Sequence, residues 1–447
     1  MARIAPFRGI LYNQKKIRDL SRVIAPPYDV ITPEERERLY RKSPYNIVRL
    51  ILNQEPDPYQ SVARLFEDWQ AEGVFVRDEK PALYFLRHRF PNKEGKDKER
   101  QERQGFIVLC RIEDFSKRAI RPHELTLEAP KEDRLRLMLA CHANFSPIFG
   151  LYSEPKRIIN RTLMEQVEGV PPLIEVEEDG KGSCLLWRIT DSQIIQTVRR
   201  DMEGHTLLIA DGHHRYEAAL NYRDQLREKK VNWTGRETFN YVMMYLGNLH
   251  DDGLVILPTH RLIRPFPPMP FQELEQALQR YFYIEPYPKT PEGQRWFLQA
   301  LRHGGRKRHL IGASFKRDPR YLILRLKNKR IMQRLAKDLS EPLRELDVTI
   351  LHLLILEHTL GLAPEKQAGA EVISYSQDEE KVLKAVEKED YGAAFILNPP
   401  KPEGIMEIAL RGEKMPQKST YFYPKLLSGL VINKIDPEEE IQEEPEG

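Results

Sequence analysis

The chain has 447 residues, too many for one compact core, and a prior of roughly 150 residues per domain predicts two or three domains. Hydrophobic residues make up 40% and charged residues 31%, which excludes wholesale disorder, and no run reaches the roughly 18 apolar residues of a membrane helix. The N-terminus lacks the apolar stretch of a signal peptide, so we expect a cytoplasmic protein with no membrane attachment.

The cysteine spacing indicates the redox state of the thiols, and the charge distribution indicates the kind of ligand that the protein binds. Cys110, Cys141 and Cys184 are far apart in sequence, so we predict buried, reduced thiols without a disulfide framework. The net charge of +3 includes an acidic tail, residues 436–447, whose seven acids leave +10 on the remaining chain. That balance suits an anionic small ligand. Because the basic residues are dispersed, it does not predict a nucleic-acid partner.

In the first hundred residues, turn signals separate short apolar segments. Thr32, Pro33 and Glu35 have the spacing of an N-cap, an N1 proline and a capping box, which predicts a helix that ends before Pro44. β-Branched residues predict a strand over residues 45–52. Further along, helical spacing predicts a helix over residues 58–72, and two strands, residues 82–86 and 105–110, flank a charged loop at 92–103.

The overall pattern predicts an α/β protein of mixed α+β character. Residues 1–263 form an α/β body, and the prolines between Arg264 and Pro270 mark its edge. We predict a mixed middle region at 264–370, a small α/β module at 371–435 that closes the site, and a disordered tail at 436–447. The elements predicted after residue 270 are helices at 271–281, 348–360, 378–387 and 401–412 and strands at 321–326 and 393–397.

The most informative motif is Asp211-Gly212-His213-His214-Arg215, where an apolar strand stops and a helix begins. Backbone N–H groups, the helix dipole and a guanidinium would meet at one point, as in a phosphate site, and Asp211 could bind Mg²⁺. A purely structural junction, with Asp as cap and Gly at positive φ, explains the same pattern. A zinc site built from His205, His213 and His214 is disfavoured because adjacent histidines diverge at a helix start.

Two other stretches carry chemistry-bearing residues. Pro122 interrupts the chain before His123 and Glu124, so a turn presents a carboxylate that could accept a proton from a hydroxyl; a surface acid at a helix start is the alternative. The proline-bounded run at 414–425 combines lysines, hydroxyls and aromatics that suit an anionic ligand, or form an ordinary terminal loop.

The chain resembles a bacterial and archaeal family known as domain of unknown function 1015 over nearly its whole length. The family name implies little about function. The motifs that carry the resemblance are Pro26-Pro27-Tyr28-Asp29-Val30-Ile31, Pro130-Lys131-Glu132-Asp133-Arg134, Asn144-Phe145-Ser146-Pro147-Ile148-Phe149-Gly150, Asp211 to Arg215, and Lys418-Ser419-Thr420.

Three collinear blocks also resemble the archaeal free-serine kinase of the ParB/sulfiredoxin-like superfamily. The blocks are Pro122-His123-Glu124, Leu208 to Arg215, and Ile405 to Thr420. This resemblance implies a ParB/sulfiredoxin-like nucleotide-binding core with additional α/β modules. The chain departs from the kinase pattern at Tyr421 and Phe422, where that family has Arg and His.

The kinase resemblance also implies residue roles. Glu124, Asp211, His213 and His214 would be catalytic, with Asp211 also holding the metal. Gly212 and Arg215 would bind the nucleotide phosphates. The residues implied to contact substrate are His123, Lys418, Ser419 and Thr420.

The first hypothesis is therefore a Mg²⁺-dependent kinase that uses ATP or ADP to phosphorylate a small hydroxyl metabolite, foremost free L-serine, giving O-phosphoserine. No GxxxxGK[ST] loop is present, so the phosphate site is of another type. The alternative is a ParB-like nucleotide switch or DNA-associated binding module, against which the sequence shows neither a helix-turn-helix signature nor a dense basic stripe. A sulfiredoxin-like thiol repair enzyme is discounted, because His213 or His214 stands where it would need cysteine.

Overall fold

The computed structural model describes residues 2–92, 100–178, 180, 182–230, 232–264, 270–305, 307–316, 318–362, 372–388 and 391–441. It divides into two compact units. Unit 1 comprises Met1–Pro122, Thr126–Leu254 and Pro424–Gly447, and unit 2 comprises His123–Leu125 and Val255–Tyr423. Helices and sheets occur in both units, with a mixed sheet in unit 1 and antiparallel pairing among the described strands of unit 2, which confirms the predicted mixed α/β class. None of the described helices has the length and hydrophobicity of a transmembrane segment.

Unit 1 is built on a nine-stranded mixed sheet. Its strand order is β6-β11-β8-β12-β5-β4-β10-β9, and β1 pairs with β5. Strands β8 and β12 at its centre are buried along their length, because their residues form near-continuous apolar runs. The strands of this unit, in chain order, are β1 (Ile4–Ala5), β2 (Ile10–Tyr12), β3 (Phe75–Arg77), β4 (Leu83–Pro91), β5 (Arg100–Arg111), β6 (Ile120–Arg121), β7 (Ala143–Asn144), β8 (Ile148–Tyr152), β9 (Ile174–Glu178), β10 (Gly182–Ile189), β11 (Leu207–Asp211) and β12 (Tyr241–Asn248), with a last short strand at Asn433–Lys434.

The helices of unit 1 confirm most of the local predictions. Thr32 caps the helix Pro33–Lys42, and its hydroxyl accepts a hydrogen bond from the Glu35 N–H at 3.2 Å. The predicted helix at 58–72 is Pro58–Ala71. The other α-helices of the unit are Val48–Ile51, Glu128–Cys141, Ile158–Val167, Ser192–Met202 and His213–Lys229.

The strand predicted at residues 45–52 is wrong, because the chain forms the short helix Val48–Ile51. The Asn46 side chain accepts a hydrogen bond from the Val48 N–H at 2.9 Å and fixes the turn. Ile47, Val48 and Leu50 are fully buried in this form, so local capping and burial outweigh their β propensity.

Unit 2 contains a six-stranded sheet and a two-stranded pair. The sheet order is β15-β17-β16-β19-β14-β18, and β13 pairs with β20. The strands are β13 (Val255–Leu257), β14 (His260–Ile263), β15 (Phe282–Pro288), β16 (Leu310–Phe315), β17 (Arg320–Leu326), β18 (Ile373–Ser376), β19 (Ala393–Ile396) and β20 (Tyr421–Tyr423). The α-helices are Phe271–Gln279, Pro291–Gly305, Arg330–Leu335, Glu341–Arg344, Asp347–Ile350, which continues as the π-helix Leu351–Glu357, Glu379–Lys388 and Pro402–Leu410.

The observed units differ from the predicted domain boundaries. Strand β14 falls within the predicted body at 1–263, yet it pairs with β18 and β19 from the C-terminal third of the chain. The division therefore falls after Leu254, and strands β15, β16 and β17 of the predicted middle region share one sheet with β18 and β19 of the module predicted at 371–435. Long-range strand pairing of this kind leaves no compositional mark at a boundary. Residues 265–269 of the predicted proline linker and residues 93–99 of the predicted loop at 92–103 lie outside the described residues, and residues 100–103 belong to β5 instead of the predicted loop.

The tail predicted to be disordered is bound to unit 1 as far as Ile441. The two Glu439 carboxylate oxygens each lie 2.7 Å from a guanidinium nitrogen, of Arg8 and of Arg77. Residues 442–447 lie outside the described residues. The three cysteines are free and buried, as predicted.

Candidate functional site

The anion turn, residues Asp211–Arg215, lies where β11 ends and the 17-residue helix His213–Lys229 begins. Gly212 joins the two elements with φ +91°, a conformation that favours glycine. A Cβ at this position would lie 2.9 Å from Nε of Arg215. Because the first N–H groups of a helix have no intrahelical partner, the turn offers backbone donors and the positive end of a helix dipole.

Asp211, Arg215 and Lys425 form an ion-paired triad. Arg215 donates from Nη2 to Oδ2 of Asp211 at 2.7 Å, and Lys425 donates from Nζ to Oδ1. The three side chains are only 12–15% exposed. Burial alone would raise the pKa of Asp211, but the charges of Lys425 and Arg215 outweigh it and hold that pKa far below its usual range. With one anion and two cations, the triad carries a net positive charge suited to a phosphate.

The contacts of Asp211 within the triad bear on its predicted role as a metal ligand. Mg²⁺ binds through one or two carboxylates together with phosphate oxygens and waters. Both oxygens of Asp211 already accept hydrogen bonds from cationic groups. The residues present therefore do not fit Mg²⁺ at Asp211, and the carboxylate acts instead as the counter-ion that positions Arg215 and Lys425.

The two histidines of the anion turn lie in different surroundings. His213 is buried, with 9% of its surface exposed. The His214 Nε2 lies 2.9 Å from the Leu127 N–H and accepts its hydrogen bond. Among the described residues, His205, His213 and His214 do not bring three ligand atoms together, so the zinc alternative finds no support there.

A cavity of about 40 Å³ lies beside Arg215 in unit 1. It has room for a few water molecules or a group of similar size. The Arg134 guanidinium lies 4.2 Å from the centre of the Tyr28 ring, and burial raises the pKa of Tyr28 to about 12, so its phenol stays protonated near neutral pH. The polar and charged residues that line the cavity are Tyr28, Arg134, Asn144, Ser146 and Arg215.

These lining residues come from four of the motifs that define the family resemblance. Sequence reasoning named Arg215 as a site residue and placed Lys425 at the end of the run 414–425, whose lysines suit an anionic ligand, but it did not assign Tyr28 or Arg134 to the site. The motif blocks themselves were the available signal, because they converge on one place in unit 1.

In unit 2, the carboxylate cluster consists of His123, Glu124, Ser419 and Thr420. Oε1 of Glu124 accepts hydrogen bonds from the Ser419 N–H at 3.2 Å and the Thr420 hydroxyl at 3.3 Å. His123 Nε2 lies 2.9 Å from the same hydroxyl and 3.8 Å from Oε1 of Glu124. Four of the predicted site residues therefore share one hydrogen-bonded group.

Arg261 holds the loop that carries Ser419 and Thr420 of the carboxylate cluster. Its guanidinium is fully buried and donates to the backbone oxygens of Gln417 and Lys418 at 3.4 and 3.1 Å. Lys418, a predicted substrate residue, has φ +54°, which is unusual for a side chain with Cβ. Burial lowers the pKa of Arg261 to about 10, while Tyr375 and Glu124 oppose that shift. Sequence analysis did not identify Arg261 as a site residue.

Ser419 also lines a cavity of about 490 Å³ in unit 2, a volume typical of small-molecule sites. His309 and Asp347 meet at 2.9 Å in its wall. Residues of both charge signs and several apolar residues line it, among them Thr259, His309, Asp347, Leu397, Asn398 and Lys401.

Comparison with known proteins gives one family and several distant structures. The sequence profile of the family described as "Protein of unknown function (DUF1015)" matches residues 4–349. Among curated proteins, no sequence matches the chain.

Solved structures are similar only at a low level. A conserved hypothetical protein from Pyrococcus furiosus is 12% identical with a TM-score of 0.32, covering 72% of this chain and 92% of that chain. Free serine kinase in complex with AMP is 12% identical with a TM-score of 0.34, covering 74% and 92%. C-terminally truncated SbnI from Staphylococcus aureus is 12% identical with a TM-score of 0.33, covering 72% and 85%. Similarity at this level does not indicate an activity.

Proposed function

The chain belongs to the DUF1015 family, whose description assigns no activity, and we propose that it is a kinase that transfers a phosphoryl group from a nucleotide to a small hydroxyl metabolite. The observation that carries the proposal is the net positive triad of Asp211, Arg215 and Lys425 at a helix N-terminus. Phosphoryl transfer depends mainly on positioning and on neutralising charge, which such a group supplies.

The donor's phosphates bind at the anion turn. Arg215 and Lys425 supply positive charge, the first N–H groups of the helix donate hydrogen bonds, and the absence of a Cβ at Gly212 leaves room for the Arg215 guanidinium. His213 and His214, at the helix start, are proposed to stabilise the transferred phosphoryl group. Arg134 also lines the cavity beside Arg215, so a second arginine is available to the negative charge of the phosphates. The donor is ATP or ADP, and Mg²⁺ enters as the ion that accompanies nucleotide phosphates.

The acceptor's hydroxyl is activated by Glu124. The Glu124 carboxylate takes the proton of the acceptor hydroxyl while the oxygen of that hydroxyl attacks the terminal phosphorus of the nucleotide. The bond between this phosphorus and the leaving nucleotide breaks. His123, Ser419 and Thr420 hold Glu124 in place, and Lys418 contributes charge from the same loop. The cavity lined by Ser419 is the acceptor's binding place, and L-serine, giving O-phosphoserine, is the first acceptor to test.

The test is to incubate the purified full chain with Mg²⁺, ATP or ADP, and a panel of hydroxyl amino acids and larger hydroxyl metabolites. Phosphorus NMR should show a new phosphomonoester. Arg215→Met and Lys425→Met should each weaken nucleotide binding about 10- to 100-fold, the effect of losing a charge-assisted hydrogen bond of roughly 1.5–3 kcal/mol.

Arg136→Met is the matched control, because Arg136 is 59% exposed and pairs only with Glu132 among the described residues. Turnover and nucleotide affinity should be unchanged in this variant. Absence of a phosphomonoester with every acceptor, or full nucleotide affinity in both triad variants, contradicts the proposal. Nucleotide binding accompanied by a DNA gel shift, and no turnover, would favour the switch alternative.

A further inference from the structure

A second group of chemically reactive side chains lies in the large sheet of unit 1, on three neighbouring strands. His88 comes from β4, Glu178 from the end of β9, and Cys184 from β10. Each offers one ligand atom, and the three atoms lie within 4.8 Å of one another. The His88 Nε2 is 2.7 Å from Oε1 of Glu178, and the Cys184 Sγ is 3.6 Å from the same oxygen.

Strand register explains why these residues meet. Cys184 lies directly opposite His88 in the β10–β4 pair, so their side chains emerge on the same face. Glu178 lies opposite Gly182 at the end of the β10–β9 pair, close to Cys184 along β10. Strand β9 is the edge of the sheet, so the group links an edge strand to its two inner neighbours.

Burial makes this arrangement unusual for a set of polar groups. His88 and Cys184 are each 1% exposed, and the Glu178 side chain is 13% exposed. The His88 Nδ1 is buried and has no hydrogen-bond partner among the described residues. A buried, unpaired imidazole nitrogen costs free energy, and it calls for a partner that the described side chains do not supply.

The chemistry of the three groups matches one class of ligand. Thiolate sulfur, imidazole nitrogen and carboxylate oxygen are the ligands that Zn²⁺ takes in proteins, and three protein ligands leave a fourth tetrahedral position for water. Hard cations such as Mg²⁺ prefer oxygen alone, so sulfur and nitrogen argue against them. The group stands outside the proposed kinase machinery.

We propose that His88, Glu178 and Cys184 form a zinc site that fastens the edge strand β9 to β10 and β4. On binding, the Cys184 thiol releases its proton to solvent, and sulfur, one imidazole nitrogen of His88 and a carboxylate oxygen of Glu178 coordinate the ion. The thiolate and the carboxylate together balance the charge of Zn²⁺.

One nearby cation opposes the site. Arg103 lies opposite His88 on β5. Its guanidinium, however, lies over the rings of Phe149 and Tyr245, at 4.8 and 5.5 Å from their centres, and donates to the backbone oxygen of Pro424 at 2.9 Å. These contacts occupy part of the hydrogen-bonding capacity of the guanidinium.

The experiment uses the full chain, stripped with a chelator, dialysed and titrated with Zn²⁺ or Co²⁺. The wild type should retain one zinc ion per chain after gel filtration, and the Co²⁺ form should show a thiolate-to-cobalt charge-transfer band in the near ultraviolet. Bound Zn²⁺ should raise Tm, because a ligand that binds only the folded state stabilises it. Cys184→Ser should lower zinc affinity by more than the roughly 10- to 100-fold that loss of an outer-shell partner costs, and it should abolish the charge-transfer band.

Two further variants keep the result interpretable. Glu178→Gln keeps the shape of the side chain and a hydrogen-bonding oxygen, so it should fold without metal yet bind zinc more weakly. Cys141→Ser removes another buried thiol and should leave zinc binding unchanged. The proposal is overturned if the wild type retains no stoichiometric zinc, or if Cys184→Ser and Glu178→Gln keep wild-type affinity. If the protein shows no phosphotransfer but binds zinc as expected, the result contradicts the proposed kinase function and leaves the zinc site supported.

Discussion

The Lys425 ammonium group is ion-paired with the carboxylate of Asp211, although 214 residues separate them in the sequence. Arg215 holds the other oxygen of the same carboxylate. The C-terminal segment thus returns to unit 1 and completes the charge of the anion turn. Because Lys425 and Arg215 are each 12% exposed, neither charge is well solvated, and both depend on Asp211 for compensation.

Replacing Asp211 by Asn should therefore destabilise the fold as well as change the site. The variant keeps the shape of the side chain but leaves two partly buried cations without a counter-ion, so the free energy of unfolding should fall by about 2–3 kcal/mol. Urea unfolding near neutral pH measures the change, and a matched Asp224→Asn control, at a residue about half exposed, should cost less.

The same variant gives a pH test. The pKa of Asp211 is lower in the folded chain than in the unfolded chain, so its stabilising contribution is complete above the unfolded value of about 3.9. That contribution is lost as the pH falls below this value towards the depressed folded pKa. The stability gap between the wild type and Asp211→Asn should hence be constant from pH 5 to 7 and shrink with further acidification. A gap that widens in acid would contradict the assignment.

Gly212→Ala should weaken anion binding at the turn. The position has φ +91°, and the added Cβ would lie 2.9–3.0 Å from the Arg215 guanidinium, which must move. Gly204 supplies the control, since its φ is +94° and a Cβ there meets nothing within 4 Å. Both variants should lose about 1–2 kcal/mol of stability from backbone strain. Only Gly212→Ala should also lower nucleotide affinity, by about tenfold in calorimetric titration; equal affinity in the two variants would remove the steric argument.

Local features of the structure were predictable where the determinants were close in sequence. The capping of the helix Pro33–Lys42 by Thr32 and the strand-Gly-helix junction at Gly212 depend on residues within one turn of each other. The helix Val48–Ile51 was not predicted, because the hydrogen bond that Val48 N–H donates to the Asn46 side chain and the burial of the segment overrode the β-branched composition.

The unpredicted features depend on contacts between distant segments. Arg134 and Tyr28 reach the cavity beside Arg215 from separate motifs, and Glu439 in the tail pairs with Arg8 and Arg77 from the first quarter of the chain. Spacing along the sequence carries no information about such meetings. Composition indeed suggested disorder for the tail, although its acids pair with basic residues of unit 1.

Arg261→Lys should loosen the loop that carries Ser419 and Thr420. Lysine is a point charge on a flexible stem, so it cannot reproduce the planar set of donors that holds the backbone oxygens of Gln417 and Lys418. Amide hydrogen exchange across residues 414–420 should accelerate, and kcat should fall while KM for the nucleotide changes little. Arg264→Lys, at an exposed position, is the control. Unchanged exchange in the loop would show that Arg261 does not position it.

Glu124→Gln should separate catalysis from folding. The amide oxygen still accepts hydrogen bonds from the Ser419 N–H and the Thr420 hydroxyl, so the carboxylate cluster should keep its geometry. The amide cannot take the proton of the acceptor hydroxyl, and loss of a general base typically lowers kcat about 10²- to 10⁴-fold. We therefore expect this fall in kcat, a KM close to the wild type and little change in Tm.

Glu128→Gln is the matched control for this variant, because the Glu128 side chain is 80% exposed and pairs with Lys131. Its kcat and Tm should remain at wild-type values, since exposed ion pairs contribute little. Steady-state kinetics and thermal unfolding of both variants distinguish a proton acceptor from a structural carboxylate. A drop in Tm with kcat unchanged at Glu124 would identify its role as holding the loop of Ser419 and Thr420, because a carboxylate that only holds the loop contributes to stability and not to the chemical step.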